Sequence, residues 1–158
     1  MNLSDNRYSQ YALVREMMDA IDVVKGFDAG RTATVADRVR STGRLFLSGE
    51  GSSRIFPAKN AIRKALTWGL DVHVATDGSR QSAQYDLSRF VVFCASNSGR
   101  TKEVILLAKK LAREGNTDRY GLTANDGTPL ADVCSETFVL NCGWEEAVAA
   151  TKSAVEQA

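Results

Sequence analysis

The chain has 158 residues, enough for one domain with its own core, and its 44% apolar and 25% charged residues are ordinary for a soluble globular protein. A formal net charge of +1 gives no electrostatic reason to expect nucleic acid or a membrane surface as partner, no apolar run approaches the roughly 18–20 residues of a membrane span, and residues 1–10 lack a signal-peptide pattern. The three cysteines, Cys94, Cys134 and Cys142, form no C-x-x-C pair and His73 is the single histidine, so a disulfide framework or a zinc site is not expected and a reducing cytoplasm is.

In chain order, Leu13, Met17, Ile21 and Val24 recur at helical spacing and predict an amphipathic helix over residues 9–25, with Gly26 helping to end it. Val35, Ala36 and Val39 predict a second helix that stops near Gly43. The period then changes. Leu45-Phe46-Leu47 reads as a strand running into a tight turn at Gly49-Glu50-Gly51. Ile55, Ala58, Ile62 and Ala65 mark one face of a following helix, and Leu70, Val72 and Val74 alternate as a strand would. Residues 90–95 are apolar throughout, the mark of a strand buried on both faces, and end at a polar run over 96–101. Val104, Leu107, Ala108 and Leu111 predict another helix. Residues 120–123 and 137–140 read as two more strands, separated by a short helix around 129–133. Residues 145–158 read as a final helix with two acids in its first turn, where the dipole favours them, and with no terminator. Strand and helix alternate through five strands, which predicts one α/β domain over 1–158: a three-layer α/β/α sandwich with a five-stranded parallel sheet in the flavodoxin-like order 2-1-3-4-5, preceded by a helical segment at about 8–42.

In such a sheet, ligands bind beyond the carboxyl ends of the strands. Two loops there follow a strand and open a helix: Gly49-Glu50-Gly51-Ser52-Ser53-Arg54 and Ser96-Asn97-Ser98-Gly99-Arg100-Thr101. Each combines unpaired N–H groups at a helix N-terminus with hydroxyl donors, a pairing that suits a phosphate. The second loop places Ser96, Ser98 and Thr101 within six positions, with Gly99 allowing close backbone approach. The plainer reading is a helix cap, for which one serine suffices. The first loop begins like a dinucleotide fingerprint, but Arg54 stands where the third glycine belongs; Asp77 could still serve as the ribose acid. No P-loop and no G-x-S-x-G elbow occurs. His73, between two valines, is expected to face a helix or solvent, Cys94 to lie in the core, and Trp68 and Trp144 to be packing residues. Glu50, Glu145 and Glu146 are acid–base candidates by position, with a first-turn helix acid as the other reading of the last two.

Three segments together resemble the sugar-isomerase (SIS) domain family, and within it the first SIS domain of the isomerase half of glucosamine-6-phosphate synthase. Gly51-Ser52-Ser53 is similar to the family's Gly-Thr-Ser turn, and 96–101 to its Ser-Gln-Ser-Gly-Glu-Thr loop with Asn97 and Arg100 replacing Gln and Glu. Gly143-Trp144-Glu145-Glu146-Ala147-Val148-Ala149-Ala150-Thr151-Lys152 is similar to its Gly-Thr-Glu-x-x-Val-Ala-Ser-Thr-Lys segment. The resemblance implies that Ser96, Ser98 and Thr101 hold a phosphate, with Asn97 contributing through backbone or side chain. It implies that Ser52 and Ser53 bind sugar hydroxyls or phosphate and that Val148 lines the sugar site through its backbone. Arg100, in place of the family's acid, would make the mouth more positive. In the resembling enzymes the base is a glutamate of a second SIS domain, helped by a histidine from a neighbouring subunit. The unterminated last helix fits the first half of such a two-domain protein, and Glu145 is the local carboxylate expected to stand in as the catalytic group, or else to orient substrate or cap the helix. The implied function is binding of an aminosugar or hexose 6-phosphate in an aldose–ketose isomerase, deglycase or deaminase; the alternative is a non-catalytic sensor that regulates a partner. No cofactor or metal is called for. A homodimer or larger assembly is expected through the apolar faces of the first and last helices.

Overall fold

The computed structural model describes residues 5–158; the first four residues of the polar segment 1–10 lie outside them. The elements are α1 (Asn6–Ser9), α2 (Ala12–Lys25), α3 (Ala33–Thr42), β1 (Arg44–Gly49), α4 (Ser52–Trp68), β2 (His73–Gly78), α5 (Ser79–Ser82), β3 (Val91–Ala95), α6 (Lys102–Arg113), β4 (Arg119–Thr123), β5 (Glu136–Val139) and α7 (Lys152–Gln157), with 3-10 turns at Ala29–Thr32 and Ala131–Val133. The five strands form one sheet in the order β2-β1-β3-β4-β5, every pair parallel. This is the order the alternating pattern predicts.

Each face of the sheet has its own core. On one, Phe46, Val92 and Cys94 meet Val104, Leu107, Ala108 and Leu111 of α6, with Leu130 closing the edge. Those four α6 positions follow the i, i+3, i+4, i+7 spacing and are essentially inaccessible to water, so burial of each large side chain contributes about 1.5–3 kcal/mol. On the other, Val35 of α3 packs on Val91, Tyr120 and Phe138. The central strand β3 feeds both, which is why it is apolar at every position.

Several elements differ from the sequence reading, each for a physical reason. The helix expected over 9–25 is broken by Tyr11 in extended conformation, so that α2 starts at Ala12. Its apolar stripe of Leu13, Met17, Ile21 and Val24 is exposed, and its one buried residue is Glu16. In α4, Ala58 and Ala65 are buried as expected but Ile55 is exposed; Ser53 and Pro57 take the inward positions of the first turns. Leu70 belongs to the end of α4 rather than to β2. Gly69 takes the left-handed conformation (φ 60°) and the Leu70 N–H returns to the Ala65 carbonyl at 2.9 Å, so the strand begins only at His73. The helix expected around 129–133 is a single 3-10 turn. The final helix is much shorter than 145–158: only Lys152–Gln157 is helical, and residues 143–151 form a strap without helix or strand. Glu145 and Glu146 are therefore not first-turn acids.

Candidate functional site

The crossover from β1 leads to one edge of the sheet and those from β3 and β4 to the other, so the chain diverges between β1 and β3 and opens a crevice at their carboxyl ends. Both loops singled out by sequence lie there. Gly49 ends β1 so close to β3 that a Cβ would sit 2.7 Å from the Ala95 carbonyl oxygen. Gly51 then turns the backbone (φ 56°) into α4, placing Ser52 and Ser53 at its first turn.

The 96–101 loop is held from beneath and from the side. The Ser96 N–H continues the sheet by donating to the Leu122 carbonyl at 2.9 Å, and the Gly99 N–H closes a turn onto the Ser96 carbonyl at 2.9 Å. Gly99 is left-handed (φ 63°) and packs against Thr128, while its carbonyl accepts the Leu130 N–H at 3.1 Å. The hydroxyls converge: Ser96 Oγ is 2.8 Å from Thr101 Oγ1 and 3.5 Å from Ser98 Oγ. Thr101 occupies the N-cap position of α6 but makes no side-chain cap bond; Ser98 Oγ and Ser96 Oγ accept the Arg100 and Thr101 N–H groups at 3.2 and 3.4 Å, local bonds that brace the loop just ahead of the helix. Ser96 is buried, whereas Ser98 is exposed and Thr101 half-exposed above it.

Ser52, Ser53, Asn97, Ser98 and Thr101 line one cavity of about 410 Å³, together with Asn125 from the end of β4 and Trp144, Glu145 and Val148 from the strap. Seven of the eight site residues expected from sequence thus share one cleft, and Ser96 lies just under its floor. Asn97 is a structural hub. Its carbonyl accepts from the Ala124 N–H (3.0 Å), the Thr123 hydroxyl (3.1 Å) and Asn125 Nδ2 (2.9 Å), its Nδ2 donates to Ser153 Oγ (2.7 Å), and its Oδ1 accepts from Gln157. Val148 and Trp144 are fully open at the mouth; neither Trp144 nor Trp68 packs in the core.

Glu145 faces the start of α7. Its Oε1 accepts the Thr151 N–H and the Ser153 N–H (both 2.9 Å) and lies 2.8 Å from the Thr151 hydroxyl, and its Oε2 accepts the Ser153 hydroxyl at 2.5 Å. Partial burial pushes its pKa up, but the bonds from Ser153 and Thr151 outweigh this and hold it below the usual carboxylate range. The carboxylate caps α7 from seven residues before Lys152, which is the capping role among the readings expected of it, exercised on a helix that starts later than expected. The other acids are also committed. Glu50 Oε1 accepts the Ser79 N–H at 2.9 Å, and Asp77 accepts from Tyr85 OH (2.6 Å) and the Gly78 N–H (2.7 Å), which leaves little of it for a ribose. The bond from Tyr85 and then that from Gly78 hold Asp77 below its ordinary pKa. His73 opens β2 at the opposite end of the sheet, exposed, with its ring 5.7 Å from Phe90.

Sequence reasoning missed Glu16, Asn125 and Ser153. Asn125 had a usable signal, since it follows the carboxyl end of a strand, where the crevice opens. Ser153 lies one residue beyond the matched segment. Glu16 had none, because it sits within a stretch whose apolar spacing drew attention to its neighbours.

The sequence profile described as the SIS domain matches residues 39–158. The 3-hexulose-6-phosphate isomerase of Mycobacterium gastri is 26% identical over 138 residues, covering 87% of this chain and 66% of that protein. A solved structure from Silicibacter pomeroyi, assigned to the phosphosugar isomerases, is 26% identical with a TM-score of 0.75, over 92% of this chain and 46% of that one. The chain thus spans between about half and two thirds of the length of these relatives. The Vibrio vulnificus NanR protein, solved as a complex with ManNAc-6P, shares the fold with a TM-score of 0.65 at 20% identity, over 98% of this chain and 59% of that one. The profile match takes in β1 to α7, including both serine-bearing loops and the strap, and the chain belongs to the SIS domain family.

Proposed function

We propose that this chain binds a hexose or aminosugar 6-phosphate and serves an aldose–ketose isomerisation, or the related deglycation or deamination. The observation that carries the reading is the convergence of Ser96, Ser98 and Thr101 at the N-terminus of the twelve-residue α6, in the same cleft as Ser52 and Ser53. Helix N–H groups and hydroxyls there offer donors to a dianion, and the dipole adds to them. Ser52, Ser53 and the strap then lie where the sugar would extend. The phosphosugar named in the Mycobacterium gastri relative and the ManNAc-6P held by NanR support the same ligand class. Ser98→Ala should weaken binding of fructose 6-phosphate by about 1.5–3 kcal/mol, the range for a hydrogen bond to a charged group. Calorimetric titration reads this, and equal affinity for fructose and fructose 6-phosphate would overturn the proposal.

Binding without turnover is the second reading, and one observation favours it. Both oxygens of Glu145 are engaged by Thr151 and Ser153, and His73 lies at the far end of the sheet, so among the described residues lining the cleft no base is left free. A positioned base typically contributes about 10²–10⁴-fold to rate. Proton exchange at C2 of fructose 6-phosphate in deuterated water, followed by NMR, separates the two. Slow exchange fits a wall that needs a partner's base, or a sensor. Fast exchange lost in Glu145→Gln would make Glu145 the catalytic group. We further propose a homodimer through the exposed stripe of α2 with Val155 of α7, and a cytoplasmic setting, for which the three free cysteines speak. Among the described residues no helix is long and apolar enough to cross a membrane.

A further inference from the structure

The outer wall of the cleft is the strap 143–151, which has no helix or strand to fix it. Two carboxylates hold it: Glu145 within the strap, bonded to Thr151 and Ser153, and a second about 130 residues earlier. Glu16, on α2, is 5% exposed. Its Oε1 accepts the N–H groups of Glu146 and Ala147, the latter at 3.1 Å, and its Oε2 lies 2.8 Å from Thr151 Oγ1. The same hydroxyl is 2.8 Å from Oε1 of Glu145. A hydroxyl carries one proton, so Thr151 donates to one carboxylate at a time and acts as the pivot between them. Beyond Glu145 the chain of contacts runs through Ser153 to Asn97 in the phosphate-side loop. Neighbouring ion pairs cannot replace this hold. Arg15 to Glu146 (2.8 Å) lies between exposed side chains, and Lys152 to Asp19 is 3.8 Å with the acid exposed, so both are weak.

We infer that Glu16 is a positioning residue of the sugar-phosphate cleft, acting on the strap through the Glu146 and Ala147 amides and on Glu145 through Thr151. It lies outside the stretch that carries the family profile, so the N-terminal helix is part of the site rather than an appendage to it. The inference rests on the ligand class proposed above.

The test uses the full chain with Glu16→Ala and Glu16→Gln, and two probes: fructose 6-phosphate, which would touch loop and strap, and inorganic phosphate, which would need the loop alone. Glu16→Ala should weaken fructose 6-phosphate binding at least about 10-fold, the equivalent of one net hydrogen bond, and change phosphate binding less than about 2-fold. Glu16→Gln keeps an acceptor for the strap amides and turns an NH₂ group toward Thr151, whose proton then goes wholly to Glu145; it should restore most of the lost affinity. Equal loss for both probes, or no loss for either, overturns the inference. A ligand-free readout separates it from the functional reading. Amide hydrogen exchange at Glu146 and Ala147 should quicken in Glu16→Ala while β3 stays protected. If wild type binds neither probe, the ligand class falls, and unchanged exchange at those two amides would also remove Glu16 from any part in holding the strap.

Discussion

Replacing Gly99 by alanine tests whether the 96–101 loop is held as tightly as its geometry states. Two costs are separable. Gly99 sits at φ 63°, and a left-handed residue with a Cβ costs about 1–2 kcal/mol. The new methyl would also stand 2.4–2.5 Å from Cβ, Oγ1 and Cγ2 of Thr128, a residue only 2% exposed and unable to swing away. Overpacking of that kind costs about 1–3 kcal/mol. The sum, about 2–5 kcal/mol, should lower the melting temperature by roughly 4–20 °C at about 2–4 °C per kcal/mol for a chain of this size. If the loop yields instead of the fold, Ser98 and Thr101 on either side of Gly99 are displaced and fructose 6-phosphate affinity drops in the same variant. Thr128→Gly removes all three clashing atoms, so the double variant should recover the steric part and keep the left-handed part. The coupling in a double-mutant cycle should then be about 1–3 kcal/mol. A Gly99→Ala protein that melts with wild type and binds sugar phosphate normally would refute the reasoning, and strictly additive single effects would refute its steric half.

Three further outcomes follow from named groups. Burial pushes Glu16 up, but hydrogen bonds from Glu146, Thr151 and Ala147 hold it below the usual carboxylate value, and Glu145 is held down likewise. Their contribution to stability is therefore complete above an unfolded pKa of about 4.3 and is lost as pH falls through the lowered folded values; melting temperature followed from pH 6 to 3 should fall less steeply in Glu16→Gln than in wild type. Iodoacetamide should label Cys134 first, since it is the half-exposed thiol while Cys94 and Cys142 are buried, and Cys142 is pushed up to about 11 by burial first and the nearby Glu156 and Glu145 second. Peptide mapping by mass spectrometry reads the order, and first labelling at Cys142 would contradict it. Ile21→Glu on the exposed stripe of α2 should shift sedimentation from dimer to monomer, and a wild-type chain that is monomeric at high micromolar concentration would remove the proposed interface.

Much of this fold is written in short-range pattern. The apolar run of β3 and the clean stripe of α6 announce a buried strand and the helix that covers it, and alternation of such units leaves few topologies open. Both candidate loops were locatable for the same reason: glycine and hydroxyl residues right after an apolar run mark where a strand ends and a helix opens. The strap was not legible. Glu145 and Glu146 followed by Ala147 and Val148 carry the local signature of a helix start, but the Glu146 and Ala147 N–H groups go to Glu16, about 130 residues earlier and outside any local window, and Glu145 turns to Thr151 and Ser153. The stripe of α2 misled in the opposite direction. Its period was right and its destination wrong, because helical spacing says that a face is apolar and not what covers it.

The location of His73 also sets how far the sole imidazole stands from the cleft. It begins the strand whose last residue, Gly78, reaches the crevice, and five steps of about 3.3 Å put roughly 16 Å of sheet between the two. That separation is about twice the Debye length of about 8 Å at physiological ionic strength, so a charge at this end of the sheet is largely screened from the crevice. A substitution at position 73 should therefore leave the affinity of the crevice for an anion nearly unchanged.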